Sequence, residues 1–219
     1  MKHSVLDDIS ESCLEKLKEN GEILELKKGE QIFDENESDN LYFVLKGYVS
    51  IYRASRYGED RIIFICAKNE ILNELVVTCG ISCVLAKAVS DVCLLQVRGN
   101  LIKQIMAEHK DFSEKLLESL SSKTRRLYHQ TGNDSGVYPL KKHVAVKIWK
   151  LAKDYGVNNH EGRKVDFEVS VKMLSMMLGA KRESVSREVS DLRRMGIVSF
   201  EKGCLVVKDM QKLSGLKCK

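Results

Sequence analysis

The sequence has little proline and tryptophan, one of each among 219 residues, and aromatics make up only 6%. No apolar run approaches the ~20 residues needed to cross a bilayer; the densest, Ile62–Ala67, has the length of a strand. The opening MKHSVLDDISESC turns acidic where a secretory leader would turn apolar, so a cytoplasmic chain with no membrane partner is expected. No P-loop, no H-E-x-x-H, no Ser/His/Asp spacing and no paired-carboxylate pattern is found, so an enzyme is not expected.

What is present is an ordinary globular mixture, 43% hydrophobic and 31% charged, with a net charge of +5. That charge is unevenly spread. From Val137 to Lys219 there are 18 Lys and Arg against nine Asp and Glu, a net +9; the first 136 residues carry 18 against 22, a net −4. A basic C-terminal part suited to a polyanion and an N-terminal part with another task follow from this split.

Seven cysteines (Cys13, Cys66, Cys79, Cys83, Cys93, Cys204 and Cys218) read as reduced thiols, several of them buried as small hydrophobes. Cys66, Cys79, Cys83 and Cys93 lack a C-x-x-C pair, so buried structural thiols are favoured over a metal or iron–sulfur site. A redox switch through Cys79 and Cys83 is the sharper alternative, and it needs an exposed, acidified thiol. No histidine falls between Ile23 and Val97, which leaves a haem without an imidazole ligand there. His109 and His129 read as surface or seam residues and the lone Trp149 as core.

From Ile23 to Val97 the pattern is of short β segments, among them LYFVLKGYVSIY, RIIFICA and KAVSDVCLLQV, with turns at Gly47, Gly58 and Asn69. Close-spaced strands without helices between them imply an antiparallel barrel or sandwich. Leu101–Gln130 reads as one helix of about seven turns, its apolar stripe at Phe112, Leu116, Leu120 and Leu127, broadened by Leu117 and interrupted by Thr124. A second copy of the helix is preferred as its partner over a simple core role. Turn formers at Gly132, Asn133, Asp134, Ser135 and Gly136 place a hinge at 132–137 ahead of Pro139.

After the hinge the pattern predicts helix 140–154, a strand near Lys164–Glu168, helices 170–178 and 182–195 and a hairpin over 197–207. Two short amphipathic helices across Gly179-Ala180 form a helix-turn-helix, and the hairpin forms a wing. Arg182, Glu183, Ser186 and Arg187 share the polar face at the start of the second helix, opposite Val185, Val189 and Leu192. Arginine can pair bidentately with guanine and a carboxylate can accept from cytosine N4, which makes these four the base-reading candidates. Lys172, Lys181 and Ser184 are the phosphate-contact candidates. A solvated charge cluster is the bland alternative, outweighed by the turn, the wing and the basic balance.

LSMMLGAKRESVSREVSDLRRMGIV and KKGEQIFDENESDNLYFVLKGYVSIY resemble the CRP/FNR family of bacterial transcription regulators, the first through its R-E-x-x-x-R triad and the second through the opening strands of a cyclic-nucleotide-binding fold. The resemblance implies an α+β chain. Residues 1–108 would form a sensor barrel of jelly-roll type, 109–136 a dimerisation helix and hinge, and 137–219 a winged helix-turn-helix. It also implies a homodimer on a two-fold related operator in double-stranded DNA, with half-sites like TGTGA or TTGAT, and contact with RNA polymerase.

In that family the nucleotide pocket depends on a Gly-Glu pair and a later Arg-Ser pair; here stand Asn73-Glu74 and Cys83-Val84. Leu127-Tyr128 replace hydroxyl residues on the helix. The implied effector positions are therefore Asn73, Glu74, Cys83, Val84, Leu127 and Tyr128. With the phosphate-binding arginine absent, cAMP binding is not expected, and neither is any cofactor; an unidentified small molecule or a redox signal is left as the effector, or else the protein is constitutively competent. Glu74 is expected to act only as a strand-end acceptor. The competing reading is a ligand- or redox-sensing protein whose winged helix binds other proteins.

Overall fold

The computed structural model describes residues 5–35, 38–54, 60–133 and 139–218. The chain divides into two compact units, one of residues 1–54 and 62–129, the other of residues 55–61 and 130–219.

The first unit opens with helix α1 (Glu11–Asn20), followed by strands β1 (Glu22–Leu26), β2 (Gln31–Phe33), β3 (Asn40–Lys46), β4 (Val49–Arg53), β5 (Arg61–Cys66) and β6 (Ile71–Leu72). The short helix α2 (Val76–Cys79) leads to β7 (Leu85–Ala88) and β8 (Val92–Arg98), and α3 (Gly99–Glu108) and α4 (Lys110–Asn133) follow. The strands make two four-stranded sheets, ordered β1-β8-β3-β6 and β2-β7-β4-β5. They form an open roll rather than a closed barrel.

Strands β3 and β8 of the first sheet are covered on both faces, which explains their near-continuous apolar runs. Leu41 and Phe43 of β3, with Leu95 and Val97 of β8, pack toward α1, α3 and α4. The alternate residues Tyr42, Val44, Val92 and Leu94 pack toward the second sheet. Each fully buried Leu or Phe on these strands contributes roughly 1.5–3 kcal/mol. Gly47 turns β3 into β4 with φ +87°, and a Cβ there would stand 2.3 Å from the Asp91 carbonyl oxygen. Asn69 also sits at a positive-φ turn, whereas Gly58 lies outside the described residues.

The long helix expected over Leu101–Gln130 is two helices. His109 breaks it, with φ −121° and ψ 96°, while its backbone N–H still donates to the Ile105 carbonyl. Periodicity carries across the break because Ile102 and Ile105 of α3 and Phe112 and Leu116 of α4 enter the same core. The hinge also differs: Gly132 and Asn133 continue α4, and residues 134–137 lie outside the described ones.

The second unit comprises α5 (Leu140–Tyr155), β9 (Gly156–Asn159), β10 (Gly162–Glu168), α6 (Val171–Leu178), α7 (Arg182–Arg194), β11 (Val198–Glu201), β12 (Cys204–Val207) and α8 (Met210–Cys218). Its sheet is ordered β11-β12-β10-β9, so the strand expected near Lys164–Glu168 is half of a hairpin. Pro139 occupies the N-cap of α5, where its missing N–H costs nothing. Trp149, expected in the core, is half-buried with the Lys153 ammonium 5.0 Å from its ring centroid. Ile148, Leu151 and Ala152 fill the core instead.

Candidate nucleic-acid interface and sensor core

Helix α6 begins at Ser170, whose hydroxyl accepts from the Met173 N–H at 3.0 Å, and ends at Gly179 with φ +60°. Three residues later α7 begins. Its buried residues Val185, Val189 and Leu192 recur at four and three, fixing the helix's roll about its own axis. Arg182, Glu183 and Arg187 consequently face solvent, with Ser186 half-buried beside them. Lys172 and Lys181 are exposed as well. Ser184, a phosphate-contact candidate, is half-buried, and its Oγ accepts from an Arg187 guanidinium nitrogen at 3.4 Å. Sequence reasoning missed this pairing, although the three-residue spacing on one helix could have revealed it.

Beyond α7, Gly196 (φ +70°) turns the chain into the β11–β12 hairpin. The two-residue connection Lys202-Gly203 has positive φ at both positions, as the tight turns of right-twisted hairpins require. Lys164 of β10 bridges to Glu201 at 3.1 Å, and Lys208 to Glu161 at 3.0 Å, tying the wing to its sheet.

In the first unit, Asn73 and Glu74 lie together and buried at the end of β6. Asn73 (φ +65°) donates to the Asn40 carbonyl at 2.8 Å. Glu74 is more than the strand-end acceptor expected. Its two oxygens take hydrogen bonds from Ser119 Oγ at 2.7 Å and Lys123 Nζ at 2.6 Å, both on α4. Burial by itself would lower the Lys123 pKa, but the attraction of Glu74, aided by Cys66 and Glu70, outweighs it and holds the ammonium above the usual lysine value. Neither Ser119 nor Lys123 stood out in the sequence, since a polar residue on an amphipathic helix has no distinguishing pattern.

The remaining effector positions are dispersed. Val84 is half-buried, its backbone engaged by the Ser82 hydroxyl, and Cys83 is exposed. Leu127 and Tyr128 are exposed on α4, Tyr128 by 75%. Cys66 and Cys13 are buried, as expected of structural thiols, but Cys79 and Cys83 are exposed. The physical reason is position: Cys79 ends α2 and Cys83 lies in the loop before β7, so neither belongs to a strand that two layers cover. Among the described residues no group of three or more His, Cys, Asp or Glu side chains could hold a metal ion.

The fold and these two sites are those of a two-part regulator: a nucleotide-binding-type roll and a winged helix-turn-helix. Residues 23–109 match the cyclic nucleotide-binding domain family, and residues 142–216 match the Crp-like helix-turn-helix domain. The chain belongs to the CRP/FNR family of transcription regulators.

A CRP-like cAMP-activated global transcriptional regulator of Mycobacterium tuberculosis is 21% identical over 212 residues, spanning 96% of this chain and 94% of that protein. An anaerobic regulatory protein of Bacillus subtilis is 23% identical over 215 residues, 97% and 89% of the two chains. Among solved structures, a CRP-family transcriptional regulator from Thermus thermophilus superimposes with a TM-score of 0.78 at 18% identity, covering 90% of this chain and 97% of that one. No helix among the described residues is long and apolar enough to cross a membrane.

Proposed function

We propose that this chain is a sequence-specific DNA-binding regulator that acts as a homodimer on a two-fold related operator. The observation that carries the reading is the joint exposure of Arg182, Glu183 and Arg187 at the N-terminal turns of α7, whose Val185, Val189 and Leu192 are buried. A recognition helix reads bases from those turns. Glu183 and Arg187 suit a G·C pair, with Arg182 and Ser186 meeting the neighbouring bases. Lys172 and Lys181 supply phosphate contacts that orient the domain without reading sequence.

Dimerisation is assigned to α4. Leu117, Leu120, Thr124 and Leu127 follow a three-four spacing on a side of the helix distinct from Phe112, Leu116 and Lys123, which face the roll. Transcriptional regulation of this kind implies contact with RNA polymerase. The M. tuberculosis relative is named for activation by cAMP, but the residues here do not fit a cyclic nucleotide. Cys83-Val84 offer no cation for the phosphate, and α4 already takes both oxygens of Glu74. Control therefore falls to another small molecule or to a redox signal.

Selection of bound duplexes from a random pool, with and without reducing agent, tests the reading. A recovered palindrome with G·C at a symmetric position supports it. Binding without sequence preference, or binding only to proteins, overturns it.

A further inference from the structure

Residues 119, 123 and 126 form one stripe along α4, and each engages the segment around β6. Lys123 Nζ donates to the Ile71 carbonyl at 2.6 Å as well as to Glu74. One turn further, an Arg126 guanidinium nitrogen donates to Glu70 Oε1 at 2.9 Å and the other to the Ile65 carbonyl at 3.2 Å. The same guanidinium lies 4.6 Å from the Phe64 ring centroid. The second oxygen of Glu70 accepts the Ala67 N–H at 2.7 Å. Both carboxylates are thus fully engaged by groups of the chain itself. The inner pair is well buried, with side-chain exposures of 14% for Lys123 and 5% for Glu74.

We infer that these two ion pairs are a built-in latch that docks α4 on the roll without any bound effector, Lys123 and Arg126 acting as positioning residues. A buried pair of this kind is costly to assemble but far costlier to leave half-made, because one missing partner strands a charge in a low-dielectric interior. The latch therefore favours a single seating of α4. A small molecule entering beside Glu74 would have to displace both Ser119 and Lys123, so an effector acting there would release the helix rather than recruit it. The consequence for operator binding, which should need no added effector, rests on the DNA-binding reading above; the latch itself does not.

Hydrogen-exchange mass spectrometry on the full-length protein, with no small molecule added, tests this. Amides over 119–128 should be protected in the wild type and unaltered by millimolar cAMP. Lys123→Met and the isosteric Glu74→Gln should each speed exchange there by about a hundredfold, as expected for a broken buried pair. Amides of β3 and β8 should keep their protection, and Lys123→Arg should restore the wild-type pattern in α4. Unprotected wild-type α4, new protection on adding cAMP, or an unchanged helix in Glu74→Gln would each overturn the latch. If Lys123→Met does not fold, Glu74→Gln and Lys123→Arg decide alone. Failure to bind any duplex while 119–128 stay protected would defeat the regulator reading and leave the latch standing.

Discussion

The Arg187 guanidinium donates to the hydroxyl of the half-buried Ser184 at 3.4 Å, one turn back on the same helix. Even a charge-assisted hydrogen bond is weak at that length in solvent, so it biases the orientation of the guanidinium without fixing it. Ser184→Ala should cost operator affinity about 0.5–1 kcal/mol. Arg187→Ala should cost about 1–3 kcal/mol and relax discrimination at one base pair. Fluorescence anisotropy on operator and scrambled duplexes separates the two effects. An equal loss on both duplexes for Arg187→Ala would show that the residue contacts only phosphate.

Lys172 is exposed near the start of α6, the helix before the one proposed to read bases. Removing a phosphate contact releases one fewer counterion, so Lys172→Ala should weaken binding to all sequences alike and lower the slope of log K against log salt by about one. An unchanged slope would remove Lys172 from the interface.

Leu117 is 61% exposed on α4, and Leu127 and Tyr128 further along the helix are exposed as well. If that side of α4 is the dimer seam, Leu117→Glu places two carboxylates against each other across the two-fold axis. The expected result in sedimentation velocity is a shift to monomer at micromolar concentration, with the far-ultraviolet circular dichroism retained. A dimer that persists would move the seam elsewhere.

Much of this structure was legible because local patterns and global packing agree. The apolar run of β3 is buried on both faces, and the four-three spacing of Val185, Val189 and Leu192 leaves Glu183 and Arg187 on the exposed side of α7. The failures have physical causes. The break at His109 was hidden because α3 and α4 feed one core, so the apolar period continues through a residue that is not helical. Helices α1 and α8 have only ten and nine residues, and β9 is a four-residue edge strand with only Val157 as an apolar side chain. The Lys123–Glu74 pair joins residues 49 positions apart, and no local rule links them.

The cysteines give a prediction with a definite pH sense. Burial pushes the Cys66 thiol up to about 12, with a lesser contribution from Glu70, and burial together with Asp111 raises Cys13 to about 11. Cys79 and Cys83 are exposed. In the native protein at neutral pH a disulfide reagent such as 5,5′-dithiobis(2-nitrobenzoate) should therefore modify Cys79 and Cys83 in minutes, while Cys13 and Cys66 react only on unfolding. Peptide mapping of the labelled protein identifies the sites. The raised values also link folding to alkaline pH. In the unfolded chain these thiols lose their protons near 9, whereas the folded state retains them to about 11 and 12. Above 9 the unfolded state binds fewer protons, so stability from these groups is complete below that pH and is lost as pH rises toward the folded values. Urea midpoints measured between pH 8 and 11 should fall, and fall less in Cys66→Ala once its own cavity cost at pH 8 is subtracted. Parallel decline in the wild type and the variant would show that Cys66 does not carry the linkage.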